Sequence, residues 1–314
     1  MSATGNPRPA TDKSSLLSRL HAWWEGMDED ADAAESVNVS VGGDGSGGLG
    51  KPAADGAGWP APRLAAAQRL FGEGYTFPGA EKIIAHQIEP LNVDETMSVL
   101  DVAAGIGTAA RVIAQKTGAR VEGLEMDLGQ VEQAKRIAQK TRLGEQATVL
   151  EGSLGNCAME PGTRDVIYGR EALLGLADKD TALREIWSLL KPGGQLLLVD
   201  FMVKDAGAAK KDAGEWANFE RMNPRLSSVA KIKQSLTASF LDVHLAEDIS
   251  NAFSGQILRG LAEVASNLKQ DSVPRDQRPW ILWEVELWAR RAAMLQAGNI
   301  GFYRIHASKA EDPT

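Results

Sequence analysis

The 314-residue sequence predicts an α/β fold: a mostly parallel, seven-stranded sheet with helices on both faces and a helical extension at its N-terminus. Three observations carry this. From residue 97 onward, short apolar runs alternate with stretches of helical periodicity, the pattern of βαβ units. The first run, Val99-Leu-Asp-Val, passes through a turn of small residues, Ala103 to Gly107, straight into a helical stretch. The first 58 residues break the pattern with an acidic and then a glycine-rich segment.

The N-terminal region opens on SSLLSRLHAWWE, Ser14 to Glu25. Leu16, Leu17, Leu20, Trp23 and Trp24 fall on one helical stripe, with Ser14 or Ser15 free to cap it. That stripe either docks on its own domain or meets a partner, since paired tryptophans are costly to leave in water. DEDADAAE (Asp28 to Glu35) and VGGDGSGGLG (Val41 to Gly50) follow and read as a flexible linker. Residues 1–58 hold nine acidic and four basic residues, so much of the chain's net charge of −8 belongs to this extension. The boundary is set at 58, and residues 59–314 form one enlarged domain.

Within that domain the elements follow in order. Residues 97–103 make the first strand, and Thr108 to Thr117 a helix that Gly118 ends. Arg120 to Glu125 is the second strand. Val131, Ala134, Ile137 and Ala138 give the next helix its apolar face. Ala147 to Leu150 and Asp165 to Tyr168 are strands three and four. Asp178 caps a helix carrying Leu183, Ile186, Leu189 and Leu190, and Pro192-Gly193-Gly194 breaks it before a fifth strand, Gln195 to Phe201. Val243 to Ile249 and Gly301 to Ala307 supply the last two strands. Helical stretches at 254–270 and about 277–297 lie between them, the second ending at Gly298. A segment at about 203–240, containing Trp216, Phe219 and Met222 at helical spacing, is placed to cover a substrate. Trp280, Leu287 and Met294 recur every seven residues, a buried stripe or the face of a homodimer.

Composition narrows the function. Hydrophobic residues at 43% and charged residues at 24% are ordinary for a globular chain. A net charge of −8 argues against a nucleic-acid binder, which needs a cationic footprint for phosphates. One cysteine, Cys157, and four scattered histidines give neither a disulfide nor a metal site. No apolar run approaches the roughly 18 residues of a membrane helix, and the N-terminus lacks a signal-peptide layout. The expectation is a cytoplasmic protein with a small-molecule substrate.

The chemistry sits at Val99-Leu-Asp-Val-Ala-Ala-Gly-Ile-Gly-Thr-Ala-Ala110. Small residues let the backbone approach a ligand, and a helix N-terminus offers free N–H groups to an anion. Glu125, at the end of the next strand, is placed to accept the hydroxyls of an adenosine ribose. Two ligands fit. Gly105-x-Gly107-x-x-Ala110 matches the dinucleotide fingerprint, which makes a nicotinamide-dependent oxidoreductase one alternative. S-adenosylmethionine is the other, favoured by Asp101 inside the strand end and by the later helix ending in Leu190-Lys-Pro-Gly-Gly-Gln195.

With VLDVAAGIG, VEGLEMD, DVIYGREALLGL and LKPGGQLLLVDF in this order, the sequence resembles the class I S-adenosylmethionine-dependent methyltransferases, a Rossmann-like fold. The resemblance implies a methyltransferase with S-adenosylmethionine as cofactor. It implies that Asp101 anchors the loop and the cofactor's amino end, and that Ala103, Gly105 and Gly107 line its methionine part. Glu125 would hold the ribose and Met126 would pack on adenine. Ser153 and Leu154 stand where the family often has an adenine-contacting Asp. Arg170 would lie near the reaction centre. Beside it Glu171 is the best-placed general base, with orienting a substrate amine or pairing with Arg170 as its other roles.

A narrower resemblance, to the phosphoethanolamine N-methyltransferases, rests on Phe71-Gly-Glu-Gly-Tyr-Thr-Phe-Pro-Gly-Ala80 and Tyr168-Gly-Arg-Glu-Ala172. It implies that Tyr75, Thr76 and Phe77 help close the site over the cofactor. The family's Tyr–His acid–base pair is missing: its places fall on Trp59 and Gly175. The phosphoethanolamine substrate is therefore not carried over, and Trp59 becomes a candidate for holding a sulfonium or amine on its indole face. The loss also leaves open a non-catalytic protein that binds S-adenosylmethionine.

Overall fold

The computed structural model describes residues 59–311, apart from 156–158, 205–206, 208–209, 221 and 268–272. The expected N-terminal helix, the linker and Cys157 lie outside the described residues.

Two helices, α1 (Ala61–Phe71) and α2 (Ala80–Ile88), precede the sheet. Then come β1 (Ser98–Asp101), α3 (Thr108–Thr117), β2 (Arg120–Glu125), α4 (Leu128–Lys140), β3 (Ala147–Glu151), β4 (Arg164–Arg170), α5 (Lys179–Leu189) and β5 (Leu190–Val203). The chain continues through α6 (Lys210–Glu220), α7 (Val229–Ala238), β6 (Leu241–Asp248), α8 (Ser250–Asn267), α9 (Arg278–Ala297) and β7 (Ile300–Lys309). The sheet order is β3-β2-β1-β4-β5-β7-β6. β7 runs antiparallel between β5 and β6, and the other pairs described are parallel. This is the seven-stranded, mostly parallel α/β sheet that the alternation predicts.

Local chemistry accounts for the element ends. Asp127 and Asp178 accept from the backbone N–H of Gln130 and Thr181, capping α4 and α5. Gly118 and Gly298 take left-handed backbone at the ends of α3 and α9. One expectation is corrected. Pro192-Gly193-Gly194 does not separate helix from strand: β5 already begins at Leu190 and runs for 14 residues. Its pairing with β4 shifts between Arg164 and Val166, so Lys191 to Gly194 form a bulge inside the strand, with Gly193 at φ +74. A bulge tolerates Pro192 because no ladder N–H is required there.

Two cores cover the two faces. One packs α2, α3, α8 and α9 on the sheet through residues such as Ile84, Ile113, Phe253 and Trp283. The other packs α5 and α7 through Leu183, Ile186, Ile232 and Leu236. Of the segment expected to cover the substrate, α7 therefore belongs to a core, while Glu220, Met222, Asn223 and Arg225 line a cleft on the sheet.

The turn after β1 is packed tightly beneath. A Cβ at Gly123 would stand 2.5 Å from Ala104 Cβ and 3.2 Å from Val149 Cγ2. Gly123→Ala is expected to lower stability by about 1–3 kcal/mol through overpacking. A thermal melt unchanged from the parent would contradict this.

Candidate functional site

The carboxyl ends of β1, β2 and β4 open into one cleft of about 750 Å³. Open α/β sheets bind their ligands at that edge. Ala103 and Gly105 after β1, Glu125 at the end of β2, and Arg170 and Glu171 at the end of β4 all line it. Trp59, Thr76 and Phe77 line it from the N-terminal side. The opposite wall is α9, with Trp280, Trp283, Glu284, Leu287, Trp288 and Arg291. The heptad stripe Trp280 and Leu287 thus faces this cleft.

The other expected residues stand around the cleft. Asp101 is buried beneath it, and its Oδ1 accepts from Ala103 N–H at 3.4 Å. Burial pushes its carboxyl up to about 7. Gly107, at φ +71, lets α3 pass Val149, whose Cγ2 would lie 2.9 Å from a Cβ there. Met126 is 71% exposed and Leu150 44%, leaving an apolar rim beside Glu125. Ser153 is half-buried, and Leu154 packs on the second core. Tyr75 turns to the helix after it, its hydroxyl donating to Glu81 Oε2 at 3.3 Å.

Glu125 organises the loop. Its Oε2 accepts from Gly105 N–H at 2.9 Å and its Oε1 from Asp127 N–H at 2.9 Å. Each oxygen keeps a further lone pair, so the carboxylate can take two hydroxyls from the cleft side. The Phe71–Ala80 segment is locked over the same loop. Arg111, buried in α3, donates to the carbonyls of Gly74 and Ile106, and Thr108 Oγ1 donates to Gly74 O at 2.9 Å. Burial lowers the Arg111 guanidinium to about 10.

Beyond β4 lies a chain of buried ion pairs. Arg170 Nη1 stands 3.1 Å from Glu171 Oε1, and Arg291 Nη1 lies 3.2 Å from Glu171 Oε2. Arg291 also grips Glu220 with Nε and Nη2, both at 2.8 Å. Burial works against ionisation of Glu171, but Arg291 and Arg170 outweigh it and hold the carboxyl below its ordinary range. A carboxylate so held is a weak proton acceptor, and the geometry gives Glu171 the pairing role with Arg170. Its backbone sits at φ +56, a strained position for a non-glycine residue. Arg170 lies over the Phe77 ring at 3.8 Å, while its Nε and Nη2 are buried without partners. Buried unpaired donors lining a cleft call for an acceptor from a ligand.

Sequence reasoning missed Arg63, Arg111, Glu220, Glu284 and Arg291. The available signal was charge inside apolar helical runs, as in Trp283-Glu-Val-Glu-Leu-Trp288. Among the described residues no cluster of three metal-ligating side chains occurs. None of their helices is long and apolar enough to cross a membrane.

Residues 99–194 match a family model described as a methyltransferase domain. The chain is 29% identical over 204 residues to a phosphoethanolamine N-methyltransferase of Triticum aestivum, covering 64% of this chain and 39% of that one. It is 30% identical over 175 residues to a sterol 24-C-methyltransferase of Aspergillus fumigatus, covering 54% and 45%. It thus spans less than half the length of either curated relative. Among solved structures, a Haemonchus contortus phosphoethanolamine N-methyltransferase 2 in complex with S-adenosyl-L-methionine shares the fold. Its TM-score is 0.67 at 18% identity, covering 79% of this chain and 57% of that one. Over residues 99–194 the chain is thus similar to methyltransferase domains, and over a wider stretch it is similar to phosphoethanolamine and sterol methyltransferases.

Proposed function

We propose that the cleft binds S-adenosylmethionine and that the protein transfers its methyl group to a small-molecule acceptor. The observation that carries this is the joint placement of Glu125, the Ala103–Gly107 turn and the unpartnered Arg170 donors around one cavity. Glu125 would hold the ribose hydroxyls, and the apolar rim of Met126 and Leu150 would take the adenine. Arg170 would take the methionine carboxylate on its free Nε and Nη2. When bound, the cofactor supplies an electrophilic methyl group: the acceptor's lone pair bonds to the methyl carbon as the carbon–sulfur bond breaks and its electrons stay on sulfur.

The chain's own part is positioning and exclusion of water. Phe77 and the Gly72–Tyr75 turn close one side, held by Arg111 and Thr108. Helix α9 closes the other with three indoles. Among the described residues, three of the four arginines that line the cleft, Arg63, Arg170 and Arg291, are ion-paired to glutamates. That supports a small acceptor over a nucleic acid.

Titration of the full chain with S-adenosylhomocysteine and with NADH tests the reading, followed by a methyl-transfer assay over an acceptor panel. Binding of S-adenosylhomocysteine with turnover of an acceptor is the expected result. Binding of NADH alone would overturn it.

Asp101 adds a pH signature. Its raised pKa means that folding stability from the neutral form is complete below its unfolded value near 3.8 and is lost as pH rises toward about 7. A cationic amino group beside it favours the ionised form. S-adenosylhomocysteine affinity is therefore expected to strengthen between pH 6 and 8, and this rise should vanish in Asp101→Asn. An unchanged pH profile in the variant, by calorimetry, would refute the assignment.

A further inference from the structure

The α9 wall carries polar groups that cofactor binding leaves unused. Trp280, Trp283, Glu284, Leu287, Trp288 and Arg291 recur at i, i+3, i+4, i+7, i+8 and i+11, so one helical face meets the cleft. Glu284 is 0% exposed. Its Oε1 accepts from Arg63 Nε at 2.7 Å, while its Oε2 is buried and has no partner. Trp288 Nε1 is likewise a buried donor without an acceptor. A buried carboxylate with one oxygen paired and one open is a receptor for an N–H or O–H.

Burial pushes the Glu284 carboxyl above its ordinary range, Arg63 opposes that shift, and the Arg63 hydrogen bond fixes the aim of the group. Its guanidinium stands 3.8 Å from the Trp59 ring and 4.3 Å from the Trp283 ring, clamped between two indoles. Oε1 is thereby committed to Arg63, and Oε2 of this cleft-lining residue has no partner. Around it stand Trp59, Trp280, Trp283 and Trp288, which line the same cleft. A ligand carboxylate or phosphate aimed here would meet like charge on Glu284.

Resting on the methyl-transfer reading, we propose that the acceptor is a ring-bearing small molecule whose N–H or O–H donates to Glu284 Oε2 while its ring lies on the α9 indoles. Glu284 is then the residue that sets acceptor specificity, and Arg63 is the positioning residue that keeps it turned.

The test uses the full chain saturated with S-adenosylhomocysteine, titrated calorimetrically with matched probes. Two carry a donor, p-cresol and p-toluidine. Two are the same rings with the donor capped, 4-methylanisole and N,N-dimethyl-p-toluidine. Phosphoethanolamine is the fifth. The donor-bearing rings are expected to bind about ten-fold tighter than their capped partners, the cost of leaving Oε2 unpaired. In Glu284→Gln the amide oxygen faces Arg63 and its NH₂ faces the cleft, so this preference should fall to about two-fold or less. Affinity for S-adenosylhomocysteine should be unchanged. Equal binding of capped and donor-bearing rings overturns the proposal. So does binding of phosphoethanolamine without either ring pair, absence of binding by all five, or a preference retained in Glu284→Gln. Each of these with S-adenosylhomocysteine bound refutes the acceptor class alone. Failure of S-adenosylhomocysteine itself to bind would overturn the methyl-transfer reading and this proposal with it.

Discussion

Glu125→Ala is expected to weaken S-adenosylhomocysteine binding by at least about 100-fold while leaving the chain folded. On the proposed reading, the carboxylate at the end of β2 takes both ribose hydroxyls. Hydrogen bonds to a charged group contribute about 1.5–3 kcal/mol each, and losing two exceeds a hundred-fold in affinity. The same substitution releases Gly105 N–H and Asp127 N–H, which Glu125 holds at 2.9 Å. The turn loosens as well, so part of the loss is preorganisation. Glu125→Gln retains an acceptor for one of those N–H groups and should lose about ten-fold. Calorimetric titration reads both. Wild-type affinity in the alanine variant would remove Glu125 from the site.

Arg291→Met should have the largest effect on stability. Arg291 is buried and serves two half-buried acids, Glu220 with both its Nε and Nη2 and Glu171 with its Nη1. Removing one partner of a buried pair strands the other charges and costs about 3–5 kcal/mol. For a chain of this size the melting temperature should fall by roughly 10 °C. The pH dependence distinguishes this cause from lost packing. In the parent, Glu171 is held below its ordinary range, so its contribution is present above the unfolded carboxylate pKa and is lost as pH falls through the folded value. In the variant the stranded acids are destabilising when ionised, so acidification toward pH 4 should recover part of the loss. Adding Glu220→Gln to the variant should recover part of it at neutral pH. A variant whose melt shifts equally at pH 4 and pH 7 would show that packing alone was lost.

The strand and helix order was legible because parallel strands buried on both faces read as compact apolar runs, as in Gln195 to Phe201. The bulge at Lys191–Gly194 was not, since Pro and Gly punctuate a turn and a bulge alike. The side of the cleft proposed for the cofactor was readable for a local reason: Asp101, Ala103, Gly105 and Glu125 are tied to strand ends. Ser153 and Met126 lie where loop conformation, not periodicity, sets direction. The opposite wall of the cleft was hidden because it is assembled across long separations. Arg63 meets Glu284 and Arg291 meets Glu171 only through the packing of α1 and β4 on α9. Helix α9 itself conceals its polar face, being buried on nearly every side.

A crystal structure of the full chain with S-adenosylhomocysteine tests the central claim most directly. The account predicts ribose hydroxyls within hydrogen-bond distance of Glu125, the amino-acid carboxylate on Arg170, and the sulfur facing the Trp283–Glu284 wall. Ligand density elsewhere on the molecule, or a ribose remote from Glu125, would contradict it.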